Sequence, residues 1–237
     1  MSKKIALCAL TVLLLATGLA RADEADIKKA VAALLGPTVK VDAVRKAGAL
    51  GLYEVQIGSD VLYADEKGSY LLQGDILDVK AKRNLTQERK SKLSQIKFSD
   101  LPLSLAVKTV RGNGKRVFAT FEDPNCGYCK KLAKDMAGVT DVTIYTFLYP
   151  ILSPDSAEKS KAVWCSSDRS KAWYDWMVNG TPASAANCEN VIDKVMALGR
   201  RLNVQGTPTI FLANGDRIPG AVPAAQLEEA LNRVAAK

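Results

Sequence analysis

The stretch EDPNCGYCKKL, residues 122–132, restricts this chain more than any other. Its two cysteines stand three apart. They follow RVFATF (116–121), a run of strand composition, and open a run of helical composition that extends to about Ala137. That order sets the Cys126 sulfur at a helix N-terminus, where unpaired amides and the helix dipole favour a thiolate. Cys129 falls one turn further in, on the side of Cys126 but deeper, which suits a resolving thiol. Lys130 and Lys131 add a weak positive field. A lower thiol pKa enlarges the thiolate fraction but dulls its nucleophilicity, so attack itself gains little. The larger effect is on the reduced form, which is stabilised, and on Cys126 as a leaving group, which improves. Such a pair is reversible and oxidising.

Two other uses of a Cys-x-x-Cys are weaker here. A structural zinc site takes four ligands, and this chain has no histidine and no second Cys-x-x-Cys. A purely structural disulfide between Cys126 and Cys129 would close a tiny loop and remove little entropy from the unfolded chain. The lack of histidine also excludes cysteine–histidine hydrolysis of the usual kind. Thiol–disulfide exchange is the expected chemistry, with no metal and no cofactor.

The start of the chain gives an address. MSKK is a basic lead, IALCALTVLLLATGL an apolar stretch of 15 residues, and Ala20-Arg21-Ala22 a small-x-small cleavage site. A membrane span needs roughly 20 apolar residues, so residues 1–22 read as a cleaved secretory signal. No later segment is apolar enough for stable membrane insertion. Loss of Lys3, Lys4 and Arg21 takes the net charge from +8 to +5. That charge is mild and spread along the chain, which argues against nucleic acid as a partner. Once Cys8 is removed four cysteines remain, an even number that an oxidising compartment would pair into two disulfides. Cys165 and Cys188 bracket 22 residues. Closing such a loop is worth roughly 3 kcal/mol in the chain-entropy model, so they read as a structural bridge, a second redox pair being the alternative.

ADIKKAVAALL (25–35) has helical spacing and stops at Gly36-Pro37. TVKVDAV, GLYEVQI, VLYAD, SYLLQG and DILDVKA then read as the strands of an antiparallel meander. One helix on such a sheet is a marginal core, and a second copy of the chain would protect its edges. Residues 84–96 read as a helix polar nearly all round, a connector. Beyond Leu101 come the strand and helix around the cysteine pair, strand VTIYTFL (142–148) and helical stretches over roughly 156–202. Strand TIFLA (209–213), an NGD turn, a further strand and a helix from about Ala224 close the chain. The expected fold class is a two-domain α+β and α/β arrangement: residues 23–83 an N-terminal helix-plus-sheet domain, 84–100 a linker helix, 101–237 an α/β domain with a helical insertion, for which the resemblance below implies a thioredoxin-like catalytic domain.

VQGTPTIFL (204–212) puts Thr207-Pro208 just before a strand, where Pro208 cannot donate to the ladder. With CGYCKKL, AEKSKAVWCSSDRSKAW and VQGTPTIFLANGDRIPG, the chain resembles the bacterial periplasmic disulfide isomerases of the DsbC/DsbG family, within the thioredoxin superfamily. The resemblance spans essentially all of the chain after the signal. It implies Cys126 as nucleophile, Cys129 as resolving thiol, Cys165–Cys188 as structural bridge and Pro208 as a cis-proline. Gly127, Tyr128, Thr207 and Pro208 then line the substrate site. It also implies a homodimer joined through the N-terminal domains, misfolded or misoxidised secreted proteins as substrates, and a membrane thiol reductase of the Dsb system as electron donor. One departure concerns the superfamily: thioredoxins carry a buried Asp six residues before the first cysteine, where Thr120 stands here. The proton acceptor of Cys129 is therefore open, with Glu122 a candidate.

The resemblance implies isomerisation of wrong disulfides. The alternatives are reduction of sulfenylated cysteines, as in DsbG-like relatives, and a mainly non-enzymatic chaperone. Those relatives typically carry Pro after the first cysteine, so Gly127 favours the isomerase.

Overall fold

A computed structural model describes residues 24–184 and 187–236. The signal expected over residues 1–22 lies outside the described residues. The chain divides into two compact units, the first ending at Gln87 and the second beginning at Glu88.

The first unit is a helix on a meander, as its periodicities require. Helix α1, Glu24–Leu35, turns Ile27 and Val31 inward and ends where Gly36 takes a left-handed φ of +85°. Strands β1 (Ala43–Lys46), β2 (Tyr53–Ile57), β3 (Asp60–Ala64) and β4 (Leu71–Leu72) pair antiparallel in that order. Val44, Tyr53, Val55 and Ala64 close the core against α1. Three expected strands come out shorter, SYLLQG keeping only Leu71–Leu72 as β4. Of TVKVDAV, residues 38–42 lie outside any strand, and Asp42 instead binds the Gly58 amide through its carboxylate at 2.6 Å. DILDVKA supplies only β5, Leu77–Asp78, which leaves the meander to pair with β6, Arg83–Asn84. Thr86, in the first turn of helix α2 (Leu85–Leu93), fastens this ribbon: its Oγ1 meets the Tyr63 hydroxyl at 2.5 Å and accepts from the Ile76 amide at 2.8 Å. The meander's edges are β1 and β4, and Tyr70 and Leu72 stand exposed at β4.

The second unit is a five-stranded sheet in the order β11-β10-β8-β9-β7. The strands are β7 (Val107–Arg111), β8 (Arg116–Glu122), β9 (Val142–Leu148), β10 (Thr209–Leu212) and β11 (Arg217–Pro219). Only β8 and β9 run parallel, joined by the crossover helix α3, Gly127–Asp135. Strand β7 is absent from the sequence reading. It reads VKTVR, its apolar residues interrupted by Lys108 and Arg111, the pattern of a short charged edge strand that simple apolar counting passes over.

One face of the sheet packs Phe118, Ile144, Ile210 and Leu212 under α3 and the closing helix. The other packs Phe121, Phe147 and Phe211 under the helix before β10. Phe121 stacks on Phe147 at 4.7 Å and meets Tyr149 and Phe211 edge-on at 5.6 and 5.8 Å. Ile96 and Phe98, from the expected linker, pack on this same core.

The helical insertion is interrupted where 156–202 reads as helical. Helix α4 (Pro154–Trp164) is capped by Ser153 and α5 (Arg169–Tyr174) by Asp168. A π turn, Asp175–Asn179, follows and stops at Gly180, φ +71°. The described residues 181–184 and 187–191 lie outside any helix before α6 (Ile192–Arg201), and α7 (Ala224–Ala235) closes the chain. Cys165 at the end of α4 is bonded to Cys188 in that segment, with Cα atoms 5.7 Å apart. From the loop length alone, Cys165→Ala with Cys188→Ala should lower stability by about 2–4 kcal/mol while sparing thiol exchange at Cys126. Denaturant unfolding beside a small-disulfide reduction assay reads both. Loss of exchange with unchanged stability would make the bridge a second redox pair.

Candidate active site

Strand β8 delivers the chain to the cysteine pair, and three loop residues set its direction. Asp123, fully buried, accepts from the Asn125 amide at 2.7 Å, the Leu152 amide at 2.9 Å and the Ser156 hydroxyl at 2.8 Å. Asn125 is held in turn by Lys159, whose Nζ donates to its side-chain oxygen at 2.9 Å. The Pro124 carbonyl accepts from the Trp176 indole N–H at 2.6 Å. Lys130 and Lys159 both lie over that indole, at 4.6 and 4.3 Å from its centre. Lys130 is thus half-buried on a ring, while Lys131 is exposed and paired with Asp135. Sequence reasoning missed this frame, because its members lie some 30 to 50 residues apart.

Cys126 is the N-cap of α3. Its Sγ accepts from the Cys129 amide at 3.3 Å and donates to the Thr207 carbonyl at 3.2 Å. The Thr207–Pro208 peptide is cis. The structure thus brings together Cys126, Cys129 and Thr207, with Gly127 and Tyr128 exposed beside them. Cys126 does not stand open at the helix start: it is only 5% exposed, against 0% for Cys129, because the chain at Thr207 lies against its sulfur. Tyr128, 71% exposed, is the open group of the pair's surroundings.

Behind the pair lies Glu122, 2% exposed, with Oε2 making no hydrogen bond. Burial pushes its carboxyl up to about 8, the Thr120 side chain pulling weakly the other way. Burial likewise raises the Cys129 thiol, and the charges of Glu122 and then of Cys126 add to that rise. Among the described residues no group of three or more acidic or cysteine side chains could hold a metal ion.

Glu122 gives the unit a pH signature. Folded, it titrates at about 8; unfolded, it returns to the ordinary value of 4.5. Between those values the folded chain keeps a proton that the unfolded chain has lost, so stability falls as pH rises through the window and levels off above it. Unfolding midpoints of the reduced chain should show that decline, and Glu122→Gln should remove most of it. Equal slopes in both proteins would contradict a neutral buried Glu122.

The chain matches two families: the thioredoxin-like domain over residues 103–235, and the disulfide bond isomerase protein N-terminal domain over residues 18–87. A relative from Bordetella pertussis, the probable thiol:disulfide interchange protein DsbC, is 51% identical over 191 residues, 81% of this chain and 68% of the relative. The thiol:disulfide interchange protein DsbC of Escherichia coli K12 is 31% identical over 226 residues, 94% of this chain and 93% of the relative. Among solved structures, the disulfide interchange protein from Neisseria gonorrhoeae is similar with a TM-score of 0.55 and 43% identity, over 56% of this chain and 97% of that one.

Proposed function

The chain belongs to the DsbC family of thiol:disulfide interchange proteins, and from that premise we propose how its residues divide the work. Cys126 attacks a wrong disulfide in a secreted protein. Its sulfur bonds to one substrate sulfur, and the other leaves as a thiolate. That thiolate can attack a further disulfide of the same substrate, and the rearranged substrate finally displaces Cys126 in reduced form. When rearrangement stalls, Cys129 attacks Cys126, releases the substrate reduced, and leaves the pair oxidised. Returning the pair to the dithiol then falls to a membrane thiol reductase.

The observation that carries this reading is the setting of Cys126 Sγ, capping α3 and accepting the Cys129 amide. An N–H donor and a helix N-terminus both act on that sulfur, which serves its departure from the mixed disulfide more than its attack. Gly127, Tyr128, Thr207 and Pro208 form the substrate side. An extended substrate strand pairs with the backbone at Thr207, and the Tyr128 ring offers an apolar contact. Cys165–Cys188 is structural. Cys126→Ser should abolish isomerisation of a scrambled multi-disulfide protein, whereas Cys129→Ser should trap substrate as a mixed disulfide on Cys126. Gel analysis under non-reducing conditions reads both, and equal trapping by the two variants would reverse the roles.

We further assign residues 23–83 to dimerisation, 84–100 to the linker and 101–237 to catalysis, in a homodimer exported to the periplasm after loss of residues 1–22. The support is physical. The first unit has a small core, and Tyr70 and Leu72 lie exposed beside an open edge, which pairing with a second copy would cover. Isomerisation needs repeated encounters with one held substrate, and reduction needs a single one. Because Ile96 and Phe98 pack on the second unit's core, truncation belongs before them. The chain from Glu88 onward should be monomeric by light scattering, should still reduce a small disulfide, and should lose most isomerase and chaperone activity. A monomer that isomerises as well as the full chain would remove the paired first units from the mechanism.

A further inference from the structure

Helix α6 ends in a hydrogen-bonded stop. Asn203 takes a left-handed φ of +52°, its amide bonds the Arg200 carbonyl at 3.0 Å, and the Val204 amide bonds the Gly199 carbonyl at 2.8 Å. Those two bonds form the Schellman pattern, which often adds an apolar contact between its first and last residues. The first residue here is a glycine, and a Cβ on it would run into the Tyr149 ring. That ring, 3% exposed, takes the place of the missing side chain, and its hydroxyl donates to the Val204 carbonyl at 3.2 Å.

Arg217, on β11, takes the two carbonyls before that one. Its guanidinium donates to the Leu202 carbonyl and, at 3.0 Å, to the Asn203 carbonyl. It lies over the Phe211 ring, 4.8 Å from the centre. A cation suits the C-terminus of a helix. Arg217 Nε, however, is buried with no hydrogen-bond partner among the described residues. That N–H costs stability, so the guanidinium is held there for the carbonyls it reaches. The carbonyls at 202, 203 and 204 are thus each taken by a side chain from β11 or from just past β9.

Beyond them the chain runs exposed toward β10. Gln205 and Gly206 are both exposed, and a Cβ added at 206 would find open space among the described residues. The Gly206 carbonyl accepts from the Thr209 hydroxyl at 2.7 Å, and the Pro208 carbonyl accepts from the Gly220 amide at 2.8 Å, so both are tied to the strand side. Thr207 therefore lies between two anchors, the stop after α6 and the start of β10. Its carbonyl is the one that meets Cys126 Sγ at 3.2 Å.

We propose that Tyr149 and Arg217 are positioning residues for thiol–disulfide exchange. By fixing the direction in which the chain leaves α6, they set the Thr207 backbone as cover over the Cys126 sulfur and as the edge that pairs with a substrate strand. Each acts through residues 202–207 rather than on the sulfurs. The proposal rests on Thr207 as the substrate edge and adds what holds that edge. Releasing the two pins has opposite effects on two kinds of substrate. It uncovers a sulfur that is 5% exposed, which speeds attack on a small disulfide. It also leaves a peptide to pair with an edge that must first be ordered, which weakens binding. A loss of packing alone would lower both reactions together.

The test uses the full chain, reduced, with Tyr149→Phe and Arg217→Lys combined. Phenylalanine keeps the ring beside Gly199 and removes the hydroxyl, while lysine keeps the charge and removes the two-pronged donor. Hydroxyethyl disulfide, which has no peptide backbone, is compared with an extended peptide disulfide. In the variant, hydroxyethyl disulfide should react about twofold faster or more, while KM for the peptide rises about tenfold with kcat little changed. A fall with both substrates, or no change with either, would overturn the proposal. Should the double variant fail to fold, the single variants decide: each should raise the peptide KM about threefold, and an unchanged KM in both would overturn it. A second peptide, methylated at the backbone nitrogens beside its cysteine, keeps this proposal apart from the reading beneath it. Equal reaction of the unsubstituted protein with the two peptides would sink Thr207 as the substrate edge, and this proposal with it. Preference for the unmethylated peptide, with KM unmoved in the variants, sinks the positioning role alone.

Discussion

Cys126 Sγ sits between two backbone groups, the Cys129 amide at 3.3 Å and the Thr207 carbonyl at 3.2 Å, and the second unit is arranged to hold that position. The amide is a fixed donor that favours a thiolate. The carbonyl accepts from a thiol and is poorly placed for a thiolate. A sulfur held between both is fixed in direction by two backbone groups, whichever bond it is making. For a protein that must enter and leave bonds with substrate, that placement matters more than raw reactivity. Each partner comes from a different element, the amide from α3 and the carbonyl from the approach to β10. The sheet that orders β8 beside β10 therefore sets the chemistry.

The loop between β8 and α3 is held by polar groups. Asp123 has no exposed surface, yet three donors converge on its carboxylate, so its burial is matched by charge-assisted hydrogen bonds. Two of those donors belong to residues 152 and 156, at the start of the insertion. Trp176, further along the same insertion, bonds the Pro124 carbonyl. The insertion thus buttresses the turn that aims Cys126, and the Cys165–Cys188 bond ties down the segment that follows it.

How much of this could be read from residues alone depended on range. Helix α1, β8, α3, β9, β10 and α7 follow from local periodicity and from stops such as Gly36-Pro37, and they stand where that reading puts them. Strand β7 escaped it because Lys108 and Arg111 break its apolar pattern, which an edge strand tolerates. The insertion was read too helical: helix formers dominate its composition, but Gly180 ends its middle stretch in a left-handed turn and residues 181–184 do not resume it. Cys126 and Thr207 could be paired by family pattern, but the cover that Thr207 lays over the sulfur is a contact across 81 residues and has no local signature. The Asp123 frame was illegible for the same reason.

Glu122 shows where strand geometry sharpens a motif. Thioredoxin-like sequences place their buried acid six residues before the first cysteine, the position of Thr120, and a residue-by-residue comparison finds it missing. Side chains two apart on a strand share a face and differ by about 6–7 Å along it. Residues 120 and 122 therefore face the same helix, and a carboxyl at 122 lies one step nearer the end of β8 where α3 begins. This chain thus carries a buried acid at 122, on the face that Thr120 shares. Thr146, across from Thr120 on β9, keeps that stretch polar and open to the small cavity. Burial and then the charge of Glu122 are the two largest causes of the raised Cys129 thiol. The spacing to Cys126 differs from that pattern while the face is the same, and the face decides which groups meet.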